Sequence, residues 1–194
     1  MAQTLIIYAH PYEGSFNHAI LEEVKAGLER AKRQYTVIDL YADGFDPRYT
    51  TEELALFSKG ETLDPLVERY KELIDSSDSW IFISPVWWSN VPSILKGFVD
   101  KVMKQNWAYV STNRGLKGKL DHVKSAWIIT TSIAPTFYLR FFAGNGVKGV
   151  FLNTSVRQLG VRRRTWTNMG NIGNSSQDQR KKFLAEVRER AARV

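Results

Sequence analysis

One stretch, residues 79–101, constrains the fold more than any other part of the chain and reads SWIFISPVWWSNVPSILKGFVDK. Its apolar run at residues 80–84 predicts a strand buried on both faces, because a strand with one solvated face would alternate apolar and polar residues. The run ends at Pro85, and two adjacent tryptophans, Trp87 and Trp88, follow. A buried strand that leads through a short loop into a helix is typical of the carboxyl edge of an open α/β sheet, where ligands bind.

The helix after this loop is expected to begin at Pro92, because proline lacks the N–H that would go unpaired in the first helical turn. Ser89 or Asn90 is the expected cap of that helix. The same order of buried strand and amphipathic helix continues along the rest of the chain. Further strands are predicted at residues 4–9, 36–41, 125–131 and 163–168, and further helices after a Ser15 cap, at 63–76, at 137–159 with interruptions, and at 176–192. Residues 106–121 are interpreted as a polar excursion.

This alternation predicts a single α/β domain over residues 1–194, with a five-stranded, doubly wound parallel sheet and helices on both faces. The composition narrows the class of protein further. The chain has no cysteine, which excludes disulfides, a thiolate metal site and a cysteine nucleophile, and we expect no metal. The first residues predict a strand rather than a signal peptide, and no apolar run approaches the roughly 20 residues that span a bilayer. We therefore expect a cytoplasmic protein without membrane insertion.

The net charge of +7, from 27 Lys and Arg against 20 Asp and Glu, indicates an anionic partner. The sequence contains no recognisable nucleic-acid-binding module, so we expect no nucleic acid. Phosphate-bearing small molecules are enough to explain the sign of the charge. The three arginines at residues 162–164 would suit a 2′-phosphate if they lie near a nucleotide site.

The loop at residues 10–17, after the first predicted strand, is where sheets of this kind bind phosphate through the N–H groups of the following helix. It contains neither G-x-G-x-x-G nor a Walker A pattern. Ser15 offers a hydroxyl, Asn17 an amide and His10 a ring N–H. Taken alone, His10 is more readily interpreted as a turn histidine bonded to a backbone carbonyl. Its position at a strand's carboxyl end beside Ser15 favours contact with phosphate.

The tryptophan loop has two possible interpretations. Trp87 and Trp88 could both belong to the core, but two adjacent loop residues cannot point the same way, so at least one is expected to face a crevice. An aromatic wall with nearby backbone donors suits a planar ring system. The loop at residues 130–135 adds hydroxyls at the same edge, although ordinary turn chemistry explains them equally well. Together the three loops predict a site for a flavin nucleotide.

Two motifs carry a family resemblance, namely residues 10–17, HPYEGSFN, and residues 85–97, PVWWSNVPSILKG. Together they resemble the flavodoxin-like NAD(P)H:quinone oxidoreductases of DT-diaphorase type. That family includes bacterial modulators of drug activity and ancillary subunits of potassium efflux systems. The resemblance extends over residues 4–138. It implies a parallel sheet of order 2-1-3-4-5, a homodimer with sites at the interface, and a tightly held FMN or FAD.

Carried over by position, the resemblance assigns roles to individual residues. The residues that would hold the phosphate and ribityl region are His10, Ser15, Phe16 and Asn17. The residues that would line the isoalloxazine are Pro85, Val86, Trp87 and Trp88, and those that would complete the flavin site are Thr130, Thr131 and Ser132. Trp107 and Tyr109 would close the substrate pocket from the partner subunit. Tyr109 and Tyr138 are the candidates for orienting the acceptor or relaying a proton.

The chain departs from that family in three respects. Ser132 and Ile133 stand where the family has paired glycines. Gly144 falls near the place of a histidine that assists hydride transfer in the animal enzymes. The chain is also shorter than those enzymes, which favours FMN, with FAD as the alternative.

The expected function is two-electron transfer of a hydride from NAD(P)H, through flavin N5, to quinones or similar flat acceptors, with the flavin carrying the chemistry. Two alternatives stay open at this point. One is a flavin-binding regulatory subunit of a potassium efflux system. The other is a flavodoxin-type one-electron carrier, which the basic charge disfavours.

Overall fold

The fold is described from a computed structural model that covers residues 3–194. In chain order the elements are β1 Gln3–Tyr8, α1 Phe16–Arg30, β2 Gln34–Asp39, α2 Thr51–Ala55, α3 Pro65–Asp75, β3 Ser79–Pro85, α4 Ser93–Val102, β4 Tyr109–Thr112, β5 Gly115–Gly118, β6 Ser125–Thr131, α5 Thr136–Phe141, a helix of wide π-type turns at Gly146–Val156, β7 Arg163–Met169 and α6 Gln177–Ala191. Among the described helices, none is both long and apolar enough to cross a bilayer.

Five of the strands form one parallel sheet in the order β2-β1-β3-β6-β7. Tyr8, Ile83 and Ile129 lie in register across β1, β3 and β6. When only the strands of this sheet are numbered, the order is 2-1-3-4-5. The predicted fold class is therefore confirmed, and the central position of β3 explains why its sequence is apolar without alternation.

The sheet is covered on both faces, and alternate residues of each strand belong to different cores. Trp80 and Phe82 pack on the face covered by α3, α4 and the 146–156 helix. Ile81 and Ile83 pack on the opposite face, against α1 and α6. Every residue of β3 is buried. This double covering holds the strand ends, and so the loops that follow them, in fixed positions.

The helix caps agree with the sequence at some helices and not at others. The Ser15 hydroxyl caps α1 by accepting from the His18 amide, as predicted. Neither Ser89 nor Asn90 caps α4, so that prediction was wrong: α4 begins at Ser93 and no side chain caps it. The reason is local, because Ser89 belongs to a tight turn with a φ of +62° and the Asn90 side chain accepts from the amide of Val91.

Two regions are organised differently from the sequence expectation. The excursion at 106–121 contains an antiparallel hairpin of β4 and β5. The helical pattern at 137–159 is divided into α5 and the 146–156 helix. The division falls at Gly144 and Asn145, whose φ values of +72° and +51° are left-handed and end a right-handed helix.

A buried ion pair fixes the chain beyond the end of α4. Lys104, which is 0% exposed, donates to Glu53 at 2.5 Å. Glu53 also accepts from the Thr62 hydroxyl and the Leu63 amide. Burial works against ionisation of this carboxyl, but these hydrogen bonds outweigh it and lower the pKa of Glu53. The pair therefore ties α2 and the segment after it to the segment that follows α4.

Candidate functional site

Three loops meet at the carboxyl edge of the sheet because β1, β3 and β6 are parallel neighbours. Direct hydrogen bonds join them: the Ala9 amide donates to the Ile83 carbonyl at 2.9 Å, and the Val86 amide donates to the Thr131 carbonyl at 2.8 Å. The buried Asn17 amide donates to the Thr131 hydroxyl at 3.0 Å. The predicted residues of the three loops thus lie side by side at one edge. Because Asn17 and Val86 use these groups within the protein, they fix the loops to one another.

The first loop presents donors to an anion. Ser15 sits at the N-terminus of α1, where the helix dipole and unpaired amides favour negative charge. His10 Nδ1 accepts from the Tyr12 amide at 3.1 Å, so the neutral ring carries its proton on Nε2. Burial lowers the pKa of His10. The ring is therefore a neutral N–H donor at physiological pH, and it accepts from a backbone amide rather than donating to a carbonyl.

The first loop also contacts the second loop and the C-terminal helix. The His10 and Trp87 rings lie with their centroids 6.5 Å apart. Phe16 is half-buried and packs against Phe183 of α6, with centroids 6.2 Å apart. Phe16 thereby joins the first loop to α6.

The second loop is a tight turn with both central residues in the left-handed region. The Trp87 amide donates to the Asn90 carbonyl at 2.9 Å, and the Asn90 amide donates to the Trp87 carbonyl at 3.1 Å. Between them, Trp88 and Ser89 have φ values of +49° and +62°. Such a turn favours Asn-Gly at its two central positions, because both need a positive φ. Any other residue held in this left-handed conformation costs about 1–3 kcal/mol. Trp87 is 43% exposed and Trp88 is 101% exposed. A strained turn that directs two indoles outward, rather than into the core, is a mark of a binding surface.

Gly146 allows the 146–156 helix to lie directly behind this turn. A Cβ at residue 146 would come within 2.6 Å of the Ser89 carbonyl oxygen and 3.0 Å of the Asn90 side chain. Sequence reasoning noted glycines in this region only as helix interruptions. The close approach identifies Gly146 as a residue that sets the position of the tryptophan turn.

The hydroxyls of the third loop are already paired within the protein. Thr130 donates to the Asn168 side chain at 2.7 Å and accepts from the Trp166 indole at 2.8 Å. Ser132 donates to the Ala134 carbonyl at 2.7 Å and accepts from Asn168 at 2.9 Å. These side chains hold the loop in shape. Asn168 was missed by the sequence reasoning, and its signal was a polar residue near the carboxyl end of an edge strand.

Two buried hydroxyls at this edge have no hydrogen-bond partner among the described residues, namely Tyr8 Oη and Ser84 Oγ. They lie near the carboxyl ends of β1 and β3. Burial raises the pKa of the Tyr8 phenol. Buried polar atoms are normally satisfied by protein, water or ligand. Because strand residues alternate between faces, Tyr8 lies on the α1 side of the sheet and Ser84 on the α4 side, so the two hydroxyls do not converge on one group.

A groove of 580 Å³ adjoins the third loop. It runs between the segment after β7 and α6, and Asn168, Met169, Lys182 and Phe183 are among the residues that line it. Of its lining residues, Phe183 packs against Phe16 of the first loop, and Asn168 donates to Ser132 of the third loop. The groove therefore lies beside the predicted site.

The aromatic residues expected at the substrate pocket are divided between two places. Tyr138 lies on α5, just after the third loop, and stacks on Phe142 with centroids 6.2 Å apart. Trp107 donates to Asp75 at 3.3 Å, and Asp75 ends α3 at the amino edge of the sheet. Tyr109 follows at the start of β4. Trp107 and Tyr109 are thus not brought to the three loops of their own chain, and their role in a partner's site stays a prediction.

The arginines at residues 162–164 also lie at the amino edge. Arg163, the first residue of β7, pairs in register with Ser125, the first residue of β6. The seven residues of β7 separate this end from the loops by roughly 20 Å, since a strand rises about 3.3 Å per residue. These arginines therefore cannot contact a 2′-phosphate held at the loops of the same chain.

A protein-family model described as flavodoxin-like fold matches residues 2–193. The chain belongs to this flavodoxin-like family. The family match agrees with the parallel sheet and with the loops at its carboxyl edge. Together with the relatives described next, it confirms the resemblance to the quinone oxidoreductases.

Three relatives illustrate where the flavodoxin-like chain stands in its family. NAD(P)H dehydrogenase [quinone] 1 from Cavia porcellus is 30% identical over 71% of this chain, which spans 56% of that relative's length. The crystal structure of Smu.1420 from Streptococcus mutans UA159 is 34% identical, has a TM-score of 0.88 and covers 99% of this chain and 100% of its own. NAD(P)H:quinone oxidoreductase from Methanothermobacter marburgensis is 27% identical, has a TM-score of 0.85 and covers 98% of this chain and 94% of its own.

Proposed function

We propose that this flavodoxin-like chain binds FMN at the three loops and reduces quinones or similar flat acceptors with NAD(P)H in the cytoplasm. The observation that carries the proposal is the strained turn at residues 87–90, which directs Trp87 and Trp88 outward beside the donors of the first loop. Relatives named as quinone dehydrogenase and quinone oxidoreductase support the same reaction class.

The residues of the first loop suit the phosphate end of FMN. The α1 N-terminus supplies amides and positive dipole, Ser15 a hydroxyl, and His10 a neutral Nε2–H donor. Phe16 and Asn17 hold the loop through Phe183 and Thr131. The arrangement therefore offers an anion hydrogen bonds without requiring a charged side chain in the loop.

The second and third loops suit the ring of FMN. Pro85 is buried and Val86 is half-buried, and they lead into the exposed indoles of Trp87 and Trp88. Thr130, Thr131 and Ser132 fix the opposite loop through their hydroxyls, so any contact they make with the ring comes through the backbone. When bound, FMN supplies the capacity to accept and give two electrons as a hydride. The chain orients the ring, donates hydrogen bonds and excludes water.

Two tyrosines are proposed to orient the acceptor or supply a proton. Burial raises the pKa of Tyr109, so its phenol keeps its proton at neutral pH and serves as a hydrogen-bond donor. Tyr138 is half-exposed on α5, next to the third loop. The phenolic O–H groups would donate to the oxygen of a quinone, which becomes more basic as it is reduced.

A homodimer is part of the proposal. The third loop and the segment after it expose large apolar side chains that a monomer would leave in water, namely Ile133, Phe137, Phe141 and Phe142. A second copy of the chain would bury these residues next to the flavin site. It would also bring Trp107 and Tyr109 of one chain toward the loops of the other, which their own chain does not do.

FAD is the alternative cofactor, and one feature favours it. The 580 Å³ groove beside the third loop would take a nucleotide extension beyond the phosphate of FMN. Lys182 in its lining is a cation that suits such a group. The mass of the flavin released on denaturation distinguishes the two cofactors.

The function is tested by adding FMN to the purified protein and measuring oxidation of NADH and NADPH with menadione as acceptor. The proposal expects bound flavin and turnover with at least one nucleotide. A flavin-loaded protein that reduces no quinone with either nucleotide overturns it. Negligible turnover together with co-purification of a potassium efflux transporter would instead support the regulatory alternative.

A further inference from the structure

A second concave surface lies at the amino edge of the sheet, at the opposite end of β6 and β7 from the three loops. It consists of two adjoining depressions of 410 and 460 Å³, which share Asp121 and Arg162. The basic residues that line them are Lys117, Lys124, Arg157, Arg162, Arg163 and Arg164. Asp121 is the one acidic residue among the described lining residues. We refer to this surface as the amino-edge groove.

The walls of the amino-edge groove are held together by backbone contact. A Cβ at Gly118 would lie 2.1 Å from the carbonyl carbon of Leu159, so only glycine lets the β4–β5 hairpin approach that turn. Gly160 has a φ of +112°, which favours glycine, and a Cβ there would lie 3.0 Å from the Asp121 amide. The Leu120 amide donates to the Leu159 carbonyl at 2.9 Å. The groove is therefore a built shape with fixed walls.

Most cations of the groove have no counterion, unlike several arginines elsewhere in the molecule. Arg30, Arg33 and Arg188 each form an ion pair with a carboxylate. Among the described residues, no ion pair is formed by the following groove cations: Lys117, Arg157, Arg162, Arg163 and Arg164. Lys124 lies 3.9 Å from Asp78, which also pairs with Arg33. Charges of one sign are thus concentrated here, with Asp121 as the one acidic residue among the described lining residues.

Arg164 is fixed in the wall of the amino-edge groove. Its Nη1 donates to the carbonyls of Val161 and Arg162, both at 2.6 Å, which fixes the guanidinium plane. Its Nε is buried and has no partner among the described residues, so a ligand in the groove does not reach that atom. Burial lowers the pKa of Arg164, and the charge of Arg157 adds to the shift. An anion in the groove would reduce the repulsion between these two cations.

We propose that the amino-edge groove binds a small polyanion of the polyphosphate class. Phosphate oxygens match the fork geometry of guanidinium groups, and several cations around one concavity require a ligand with more than one negative charge. The combined depressions are of the size that small ligands occupy. No aromatic residue is among the described lining residues, which disfavours single-stranded nucleic acid, whose bases stack on aromatic side chains.

The test is isothermal titration calorimetry with inorganic tripolyphosphate, on purified protein in excess FMN so that the first loop is occupied. We expect saturable binding at about 25 mM salt that weakens as salt is added. The double variant R157Q/R162Q should bind about tenfold more weakly or worse, because two charge-assisted contacts are lost. Arg164→Lys, which keeps a positive charge but removes the planar guanidinium, should bind several-fold more weakly.

The matched control is R69Q/K181Q, which removes two exposed cations that line neither depression. It should bind tripolyphosphate as the unaltered protein does, and quinone reduction should be unchanged in R157Q/R162Q. Titration with adenosine triphosphate distinguishes a free polyphosphate from a nucleotide as the ligand. An affinity equal to that for tripolyphosphate indicates a free polyphosphate, and tighter binding indicates a nucleotide. Absence of binding, equal binding by R157Q/R162Q, or loss of binding in Ser15→Ala overturns the proposal. So does binding of a single-stranded oligonucleotide without binding of tripolyphosphate.

Discussion

The two ends of α4 are built on opposite principles. Before its first residue stands the turn at 87–90, with left-handed backbone at Trp88 and Ser89 and indoles in solvent. Beyond its last residue, Lys104 and Glu53 are buried and paired. One end stores strain and exposes apolar surface, and the other satisfies buried charge. The difference shows that this fold concentrates stabilising contacts at one end of a helix, while the other end carries the turn that we propose as part of the flavin site.

The largest expected effect comes from breaking the buried ion pair of Lys104 and Glu53 beyond the last residue of α4. Lys104→Met leaves the Glu53 carboxyl buried without its cation, which should lower the free energy of unfolding by about 3–5 kcal/mol. Urea denaturation measures this change. The double variant K104M/E53Q should recover part of the loss, because no charge then stays buried. A loss below about 1 kcal/mol in Lys104→Met would mean that the pair is not the anchor described here.

The second effect concerns the strained turn at residues 87–90, before the first residue of α4. Gly146→Ala places a methyl group against the Ser89 carbonyl and should displace the tryptophan turn. FMN binding should weaken by about tenfold, or about 1.4 kcal/mol. Fluorescence titration with FMN measures this. Gly173→Ala is the matched control, because a Cβ at Gly173 meets nothing within 4 Å. Equal FMN affinity in both variants would separate the turn from the flavin site.

The third effect separates a helix cap from an anion site. Ser15→Ala and Ser176→Ala each remove a serine that caps a 15-residue helix. Both should lower the free energy of unfolding by about 1 kcal/mol. Only Ser15→Ala should also weaken FMN binding, since Ser15 lies at the carboxyl edge. If Ser176→Ala weakens FMN binding as much, the loss reflects stability alone.

The smallest effect is a dependence of stability on pH that comes from Glu53 in the buried ion pair. Burial raises the pKa of Glu53, but its hydrogen bonds lower it by more, so the folded-state pKa lies below that of the unfolded chain and the contribution to stability is present above the unfolded-state pKa. It is lost as pH falls through the folded-state pKa. Urea midpoints measured from about pH 6 to about pH 3 should therefore fall more steeply in the unaltered protein than in K104M/E53Q. Parallel curves would assign the acid sensitivity to other carboxyls.

The elements that the sequence predicted well are those whose partners are local or whose burial is complete. The strand at 125–131 has the bounds that were predicted, and Ser15 caps α1. The β4–β5 hairpin was missed because its strands are short and largely exposed, so they lack an apolar pattern. The role of Asn168 was missed because its partners, Ser132 and Thr136, are distant in the chain.

The sequence by itself determined the parallel α/β sheet and the three loops at its carboxyl edge, because buried apolar runs and helix starts are encoded over a few residues. Tertiary structure alone decided where long-range partners fall. In the folded chain the hydroxyls of Thr130 and Ser132 form hydrogen bonds within the protein. Gly146 lies directly behind the tryptophan turn, and the arginines at residues 162–164 lie at the amino edge of the sheet, opposite the three loops. Strand direction and register fix these positions, and both arise only when the strands pair.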